Sequence, residues 1–153
     1  MEQILFSKIE GVHQYTKYSH VMYEIAKRLS NPNYNIIFMG NMGIPLLKHV
    51  SEVLKQSGDV KLVSRKEGIP GNSVFSNGSC MMVTNSNLNH MRGVGANTTE
   101  CILQISGVTD QEIINCITAI APILQCCGAK FSLLSIQDGK YCMAPVQESF
   151  YKS

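Results

Sequence analysis

"NIIFMGNMGIP", residues 35–45, is the stretch on which the reading of the fold turns. Its first half is short and apolar on both faces, as a central strand of a parallel sheet is. Two glycines follow at a spacing of three, then Pro45 and "LLKHVSEVLKQSG", in which Leu46, Leu47, Val50, Val53 and Leu54 recur at helical spacing. Pro45 suits a first helical turn and Gly58 a C-terminal stop. The order is therefore strand, glycine turn, helix. Such a turn exposes N–H groups where the helix dipole favours an anion, and it serves also as a plain tight connection. No Gly-Lys-Ser/Thr follows, so it is not a P-loop, and the glycine spacing is not the dinucleotide fingerprint. Taken alone, the stretch reads first as a turn and second as an anion site.

Upstream, Val21, Met22, Ile25 and Leu29 predict an amphipathic helix over residues 15–29, broken by "NPN" at 31–33. Downstream, "DVKLVSRK" predicts a second strand and "EGIPGNS" a loop. "SVFS" and "CMMVTN" read as short paired strands, and "LNHMRGVGANTTE" as a connection. "CILQIS" is apolar enough for another core strand. In "GVTDQEIINCITAIAPILQCCG", Thr109 and Glu112 stand in capping-box relation, Ile113, Ile117, Ile120 and Leu124 mark one helical face, Pro122 interrupts it and Gly128 ends it. "AKFSLLSI" and "KYCMAPV" flank Gln137-Asp138-Gly139, where Asp-Gly signals a hairpin. The sum is an α/β chain of alternating strands and helices, with an antiparallel insertion and a C-terminal hairpin. At 153 residues it is expected to form one domain, 1–153.

Composition narrows the function classes. The chain is 44% hydrophobic and 16% charged, which fits a globular domain rather than a disordered one. Its 13 Lys and Arg residues are scattered and the formal net charge is +2, so no basic stripe points to nucleic acid as a partner. The six cysteines show no C-x-x-C and no Cys/His zinc spacing, and four lie in apolar segments, where buried reduced thiols are expected. No segment reaches the roughly 18 apolar residues that span a bilayer, and the amino terminus shows no leader pattern. A soluble, reducing, cytoplasmic setting and no membrane partner are the expectation.

Order along the chain makes the glycine turn more specific. An amphipathic helix, "IIFMGNMGIPLLKHVSEVL", "VKLVSRKEGIPG", the paired strands, then "CILQIS" and a long helix before "AKFSLLSI" resemble a type I phosphoribosyltransferase over roughly residues 15–144, closest to the adenine, xanthine and orotate enzymes. The resemblance rests on order and spacing more than on identity. It implies a phosphoribosyltransferase-like parallel sheet flanked by helices. It also implies that Gly40, Asn41, Met42, Gly43 and Pro45 match the loop that wraps the pyrophosphate of phosphoribosyl pyrophosphate. Arg65 and Lys66 are similar to the basic pair at the root of the family's mobile loop, although two such cations also suit a solvated strand end.

The chain departs from the family where the chemistry is done. The family's defining strand ends in two acidic residues, which contact the ribose hydroxyls, and is followed by a Thr/Gly-rich loop that holds the 5′-phosphate. Here the acidic pair falls on Ile105 and Ser106, and the loop shortens to Gly107, Val108 and Thr109. Placing the motif on "CMMVTNSNLNHMRG" loses both carboxylates too. Asp110 and Glu112 support the helix through its dipole but repel a phosphate from the same end. Each lost carboxylate removes charge-assisted hydrogen bonds worth roughly 1.5–3 kcal/mol, so the transfer through an oxocarbenium-like sugar that the resemblance implies would slow by several orders of magnitude.

The expectation is a catalytically degenerate protein that binds or sequesters a nucleotide or phosphorylated ribose. The candidate ligand-binding residues are Gly40, Asn41, Met42, Gly43, Arg65, Lys66, Ser106, Gly107, Thr109 and Asp110, with no catalytic residue, metal ligand or cofactor. A homodimer is expected. One alternative is an interaction or inhibitor scaffold. The other is an active nucleobase transferase using Asp110 or Glu112 and magnesium. His13, His20, His49 and His90 pair with no Ser, Cys or Asp motif and are read as surface or core residues, and Cys126-Cys127 as packing.

Overall fold

Strand-helix-strand patterning folds in the computed structural model into a mixed sheet with two helices packed on one face. The structure describes residues 13–15, 18–58, 60–66, 71–84, 97–105, 111, 115, 118, 128–137 and 140–146. Among these the elements are β1 (His13–Tyr15), α1 (Tyr18–Leu29), β2 (Asn35–Met39), α2 (Gly43–Ser57), β3 (Leu62–Lys66), β4 (Gly71–Phe75), β5 (Cys80–Thr84), β6 (Glu100–Ile105), β7 (Lys130–Gln137) and β8 (Lys140–Val146). Their order across the sheet is β1-β8-β7-β6-β2-β5-β4-β3.

The central four strands, β5-β2-β6-β7, are parallel, and antiparallel pairs extend them on both sides. The expected general α/β class is therefore present. The C-terminal hairpin closes at Gln137↔Lys140; its Asp138-Gly139 turn lies outside the described residues. "SVFS" and "CMMVTN" do pair antiparallel, as β4 and β5, but β5 also joins the parallel core beside β2. The antiparallel insertion is thus β3 with β4. The strand carrying Arg65 and Lys66 lies at the edge of the sheet, three places from β2.

Periodicity placed the helices well. Val21, Ile25 and Leu29 of α1 are buried, as are Leu46, Leu47, Val50 and Leu54 of α2. They form one cluster with Ile36 and Phe38 of β2, Met81 and Val83 of β5, Ile102 and Leu134. Strand alternation turns Ile37 and Met39 to the other face, where they are also buried, so β2 is apolar on both sides as its sequence required. Gly58 stops α2 with a left-handed φ of 83°. The first helix begins later than residue 15, because residues 13–15 extend along β8 instead. Gln111, Asn115 and Thr118 are helical and exposed, one polar face of the helix expected there. The capping pair Thr109 and Glu112, the apolar face of that helix and Pro122 lie outside the described residues.

Candidate ligand-binding crevice

The connections out of β2 and β6 determine where a crevice can form. From β2 the chain crosses through α2 and β3-β4 to β5 on one side; from β6 it crosses to β7 on the other. These neighbouring parallel strands are thus a topological switch point, and in open α/β sheets ligands bind outside the carboxyl ends of strands at such a point. The turn at residues 40–43 and the end of β6 occupy that position.

The turn is built by close approach. Gly40 leaves β2 with φ 149°, a region that favours glycine, and its N–H donates to the Thr84 carbonyl of β5 at 2.9 Å. Gly43 N–H donates to the Gly40 carbonyl at 3.1 Å and closes the turn. Gly43 is buried: a Cβ there would overlap Val83 Cγ1 and approach Phe38 at 3.1 Å, so only glycine lets α2 start this near the sheet. Met42 is the N-cap of α2 and makes no side-chain cap bond. The first turn of α2 carries no acidic residue, which leaves the positive end of its dipole unopposed from within the helix.

Gln104 holds the N–H of the N-cap residue itself. The register Met39↔Leu103 sets it beside Gly40. Its Oε1 accepts the Met42 N–H at 2.8 Å, and its Nε2 donates to Asn41 Oδ1 at 2.6 Å. A Cβ on Gly40 would stand 2.5 Å from both Cβ and Oε1 of Gln104, so the glutamine side chain lies flat over the glycine.

The expected site residues divide into three groups. Gly40, Asn41, Met42 and Gly43 come together in this turn. Arg65 and Lys66 do not join them: Lys66 is in register, through Asn72 and Met82, with Ile37. Three inter-strand steps put its backbone about 14 Å from β2. Ser106, Gly107, Thr109 and Asp110 lie outside the described residues. Gln104 was missed by the sequence reading; its only signal was a polar residue near the end of a strand whose other residues after Glu100 are apolar.

The amino-terminal edge of the same strands is differently made. Glu100, 2% exposed, accepts from Arg28 Nη1 at 2.9 Å, Tyr34 Oη at 2.8 Å and Ser132 Oγ at 2.7 Å. Burial, and then the Glu100 carboxylate, push the Tyr34 hydroxyl well above the usual phenol range, with Arg28 opposing. Near this edge a cleft of about 260 Å3 is lined by Asn35 and Ile37 of β2, Cys80 and Met82 of β5, and Asn97 and Thr98. Burial raises the Cys80 thiol, which keeps it protonated and unreactive near neutrality.

A third cluster joins the helices to β8. Tyr18 stacks edge-on against His49, with 5.6 Å between ring centroids, and leans on Tyr141 at 6.1 Å. Burial, then Tyr141, raise the Tyr18 hydroxyl. His49 is thus a half-buried packing residue and His20 lies exposed on α1, in line with the sequence reading. Among the described residues no three His, Cys, Asp or Glu side chains converge as a metal site would need, and no helix is long and apolar enough to cross a membrane. Comparison with family models, with characterised proteins and with solved structures finds no match.

Proposed function

We infer that this chain is a phosphoribosyltransferase-like domain that holds a nucleotide or a phosphorylated ribose in the crevice between β2 and β6 and does not transfer it. The observation that carries the reading is the glycine turn at residues 40–43, set at the carboxyl end of β2 and at the switch point of the sheet. A helix start free of acidic residues suits a phosphate there. Loss of catalysis is read from Ile105 and Ser106 at the positions where the resemblance requires carboxylates. On this reading the protein is a cytoplasmic homodimer that needs no cofactor, and magnesium enters only if transfer occurs after all. Isothermal calorimetry with ribose 5-phosphate and a panel of nucleoside monophosphates tests it. Saturable binding is expected, and no heat at millimolar ligand rejects it.

A second reading, an interaction scaffold, has its own support. The edge strand β3 exposes Leu62 and Val63, at 40% and 65%, beside a register irregularity. Capture of one stoichiometric protein partner, abolished by Val63→Lys and accompanied by no ligand heat, selects this reading over the first.

A further inference from the structure

The backbone ladder between β2 and β6 ends at Met39↔Leu103, and beyond it a side chain continues the pairing. Gln104 Oε1 sits 2.8 Å from the Met42 nitrogen, in the place an oxygen of a bound ligand would take to accept that N–H. Its Nε2, 2.6 Å from Asn41 Oδ1, anchors the carboxamide from the other end. The Gly43 N–H is already given to the Gly40 carbonyl, and Pro45 has no N–H to offer. Of the turn's N–H groups, it is that of Met42 that Gln104 holds from β6.

We propose that Gln104 is an autoinhibitory latch on the crevice: its carboxamide occupies the acceptor position of the turn, and an oxyanion reaches the Met42 N–H only by displacing it. The inference rests on the reading of the crevice as a ligand site. Three features make a latch rather than a fixed strut. The bonds are between neutral groups, so an anionic oxygen is the stronger acceptor for the same N–H. Gln104 is only half-buried and Asn41 is exposed, so the carboxamide has solvent into which it can swing. The side chain lies flat over Gly40, so residue 40 presents no side chain that the carboxamide must pass as it leaves.

Displacing two neutral hydrogen bonds weakens binding by about tenfold or more, and removing the latch returns that factor. The experiment compares wild type with Gln104→Ala and with Gln104→Met, which keeps a stem of similar length but offers only a weak thioether acceptor. Ribose 5-phosphate and inorganic pyrophosphate are the probes, with amide hydrogen exchange at Met42 read alongside. In both variants Met42 exchange should rise at least tenfold while the amides of Ile37 and Phe38 keep their protection. At least one probe should bind about tenfold tighter than to wild type. Unchanged exchange at Met42, or equal or weaker binding by a variant whose β2 amides stay protected, overturns the latch. Binding by wild type without a gain in either variant overturns the latch alone. Gain of binding by the variants, where wild type binds none of the calorimetric panel, keeps the latch and rejects the wild-type binding function. Binding by none of the three proteins rejects both.

Discussion

Glu100 and Gln104 stand four residues apart on β6, one at each end of the strand, and the sheet treats them in opposite ways. At the amino end, a carboxylate is taken fully out of water and given three donors from α1, the residue before β2, and β7. At the carboxyl end, a neutral carboxamide bridges a glycine turn at the surface. The first arrangement couples three distant parts of the chain through one buried carboxylate. The second satisfies a single turn with groups that water or a ligand can replace. One edge is buried and fully bonded, and the other is neutral and half-exposed, at the strand ends where open α/β sheets bind their ligands.

The strongest way to break this comparison is Glu100→Ala. It leaves Arg28, Tyr34 and Ser132 facing a site made for a charge, and stability should fall by about 3 kcal/mol, since removing one partner of a buried pair strands the other. Arg28 is a quarter exposed and can turn to water, which places the loss at the lower end of that class. Urea unfolding measures it. A loss below about 1 kcal/mol, the range of surface pairs, would show that the amino edge is no more structural than the carboxyl edge.

Gly43→Ala comes next and probes the packing beneath the turn. The added methyl meets Val83 and Phe38, which are both core residues, so α2 must shift or the core must open. A destabilisation of about 2 kcal/mol is expected from overpacking of this kind. A neutral result in thermal unfolding would mean that α2 moves freely at its start and that close approach does not shape the crevice.

Much of this frame was legible in the sequence, and what was hidden shares a physical cause. Leu46, Leu47, Val50 and Leu54 declare α2 by period, and the double-sided apolar run at residues 36–39 declares a central strand, because burial acts locally on each residue. Residues 13–15 form a strand only because β8 is there to pair with, so no local pattern marks them. The placing of β5 beside β2, and of the Arg65-Lys66 strand at the far edge, is likewise a choice among tertiary pairings. Glu100 and Gln104 look like stray polar residues, since their partners lie 72, 66 and 62 positions away in Arg28, Tyr34 and Met42. The glycine turn was legible as a turn, whereas the side chain that fills it was not.

Tyr34→Phe tests the amino edge through pH. The lost hydrogen bond to a carboxylate should cost about 1.5 kcal/mol near neutrality. In the folded protein burial and Glu100 hold the Tyr34 hydroxyl above its ordinary value, so below the unfolded value of about 10 both states keep the proton and the contribution is complete. Above about pH 10 the unfolded chain ionises while the folded one does not. The unfolded state then binds fewer protons, and stability falls as pH rises, by up to about 1.4 kcal/mol per unit for one proton. The phenylalanine variant should show a shallower alkaline decline, with a remainder from Tyr18, which is raised as well. Equal slopes in the two proteins would mean that neither burial nor Glu100 holds the Tyr34 proton in solution.

Asn41→Ala carries the smallest expected effect on stability and sharpens the comparison most directly. Asn41 is exposed, and its Oδ1 anchors only the outer end of the Gln104 carboxamide. Global stability should change by no more than about 0.5 kcal/mol, the range of surface substitutions without a special role. The Met42 amide should nevertheless exchange several-fold faster, because Gln104 keeps one anchor instead of two, and the effect should stop within the turn. A large local response with no global cost is what an edge built for exchange requires, since a ligand must be able to open it without unfolding the sheet. A global loss above about 1 kcal/mol, beyond that surface range, would place Asn41 in the same class as Glu100 and remove the distinction between the two ends of β6.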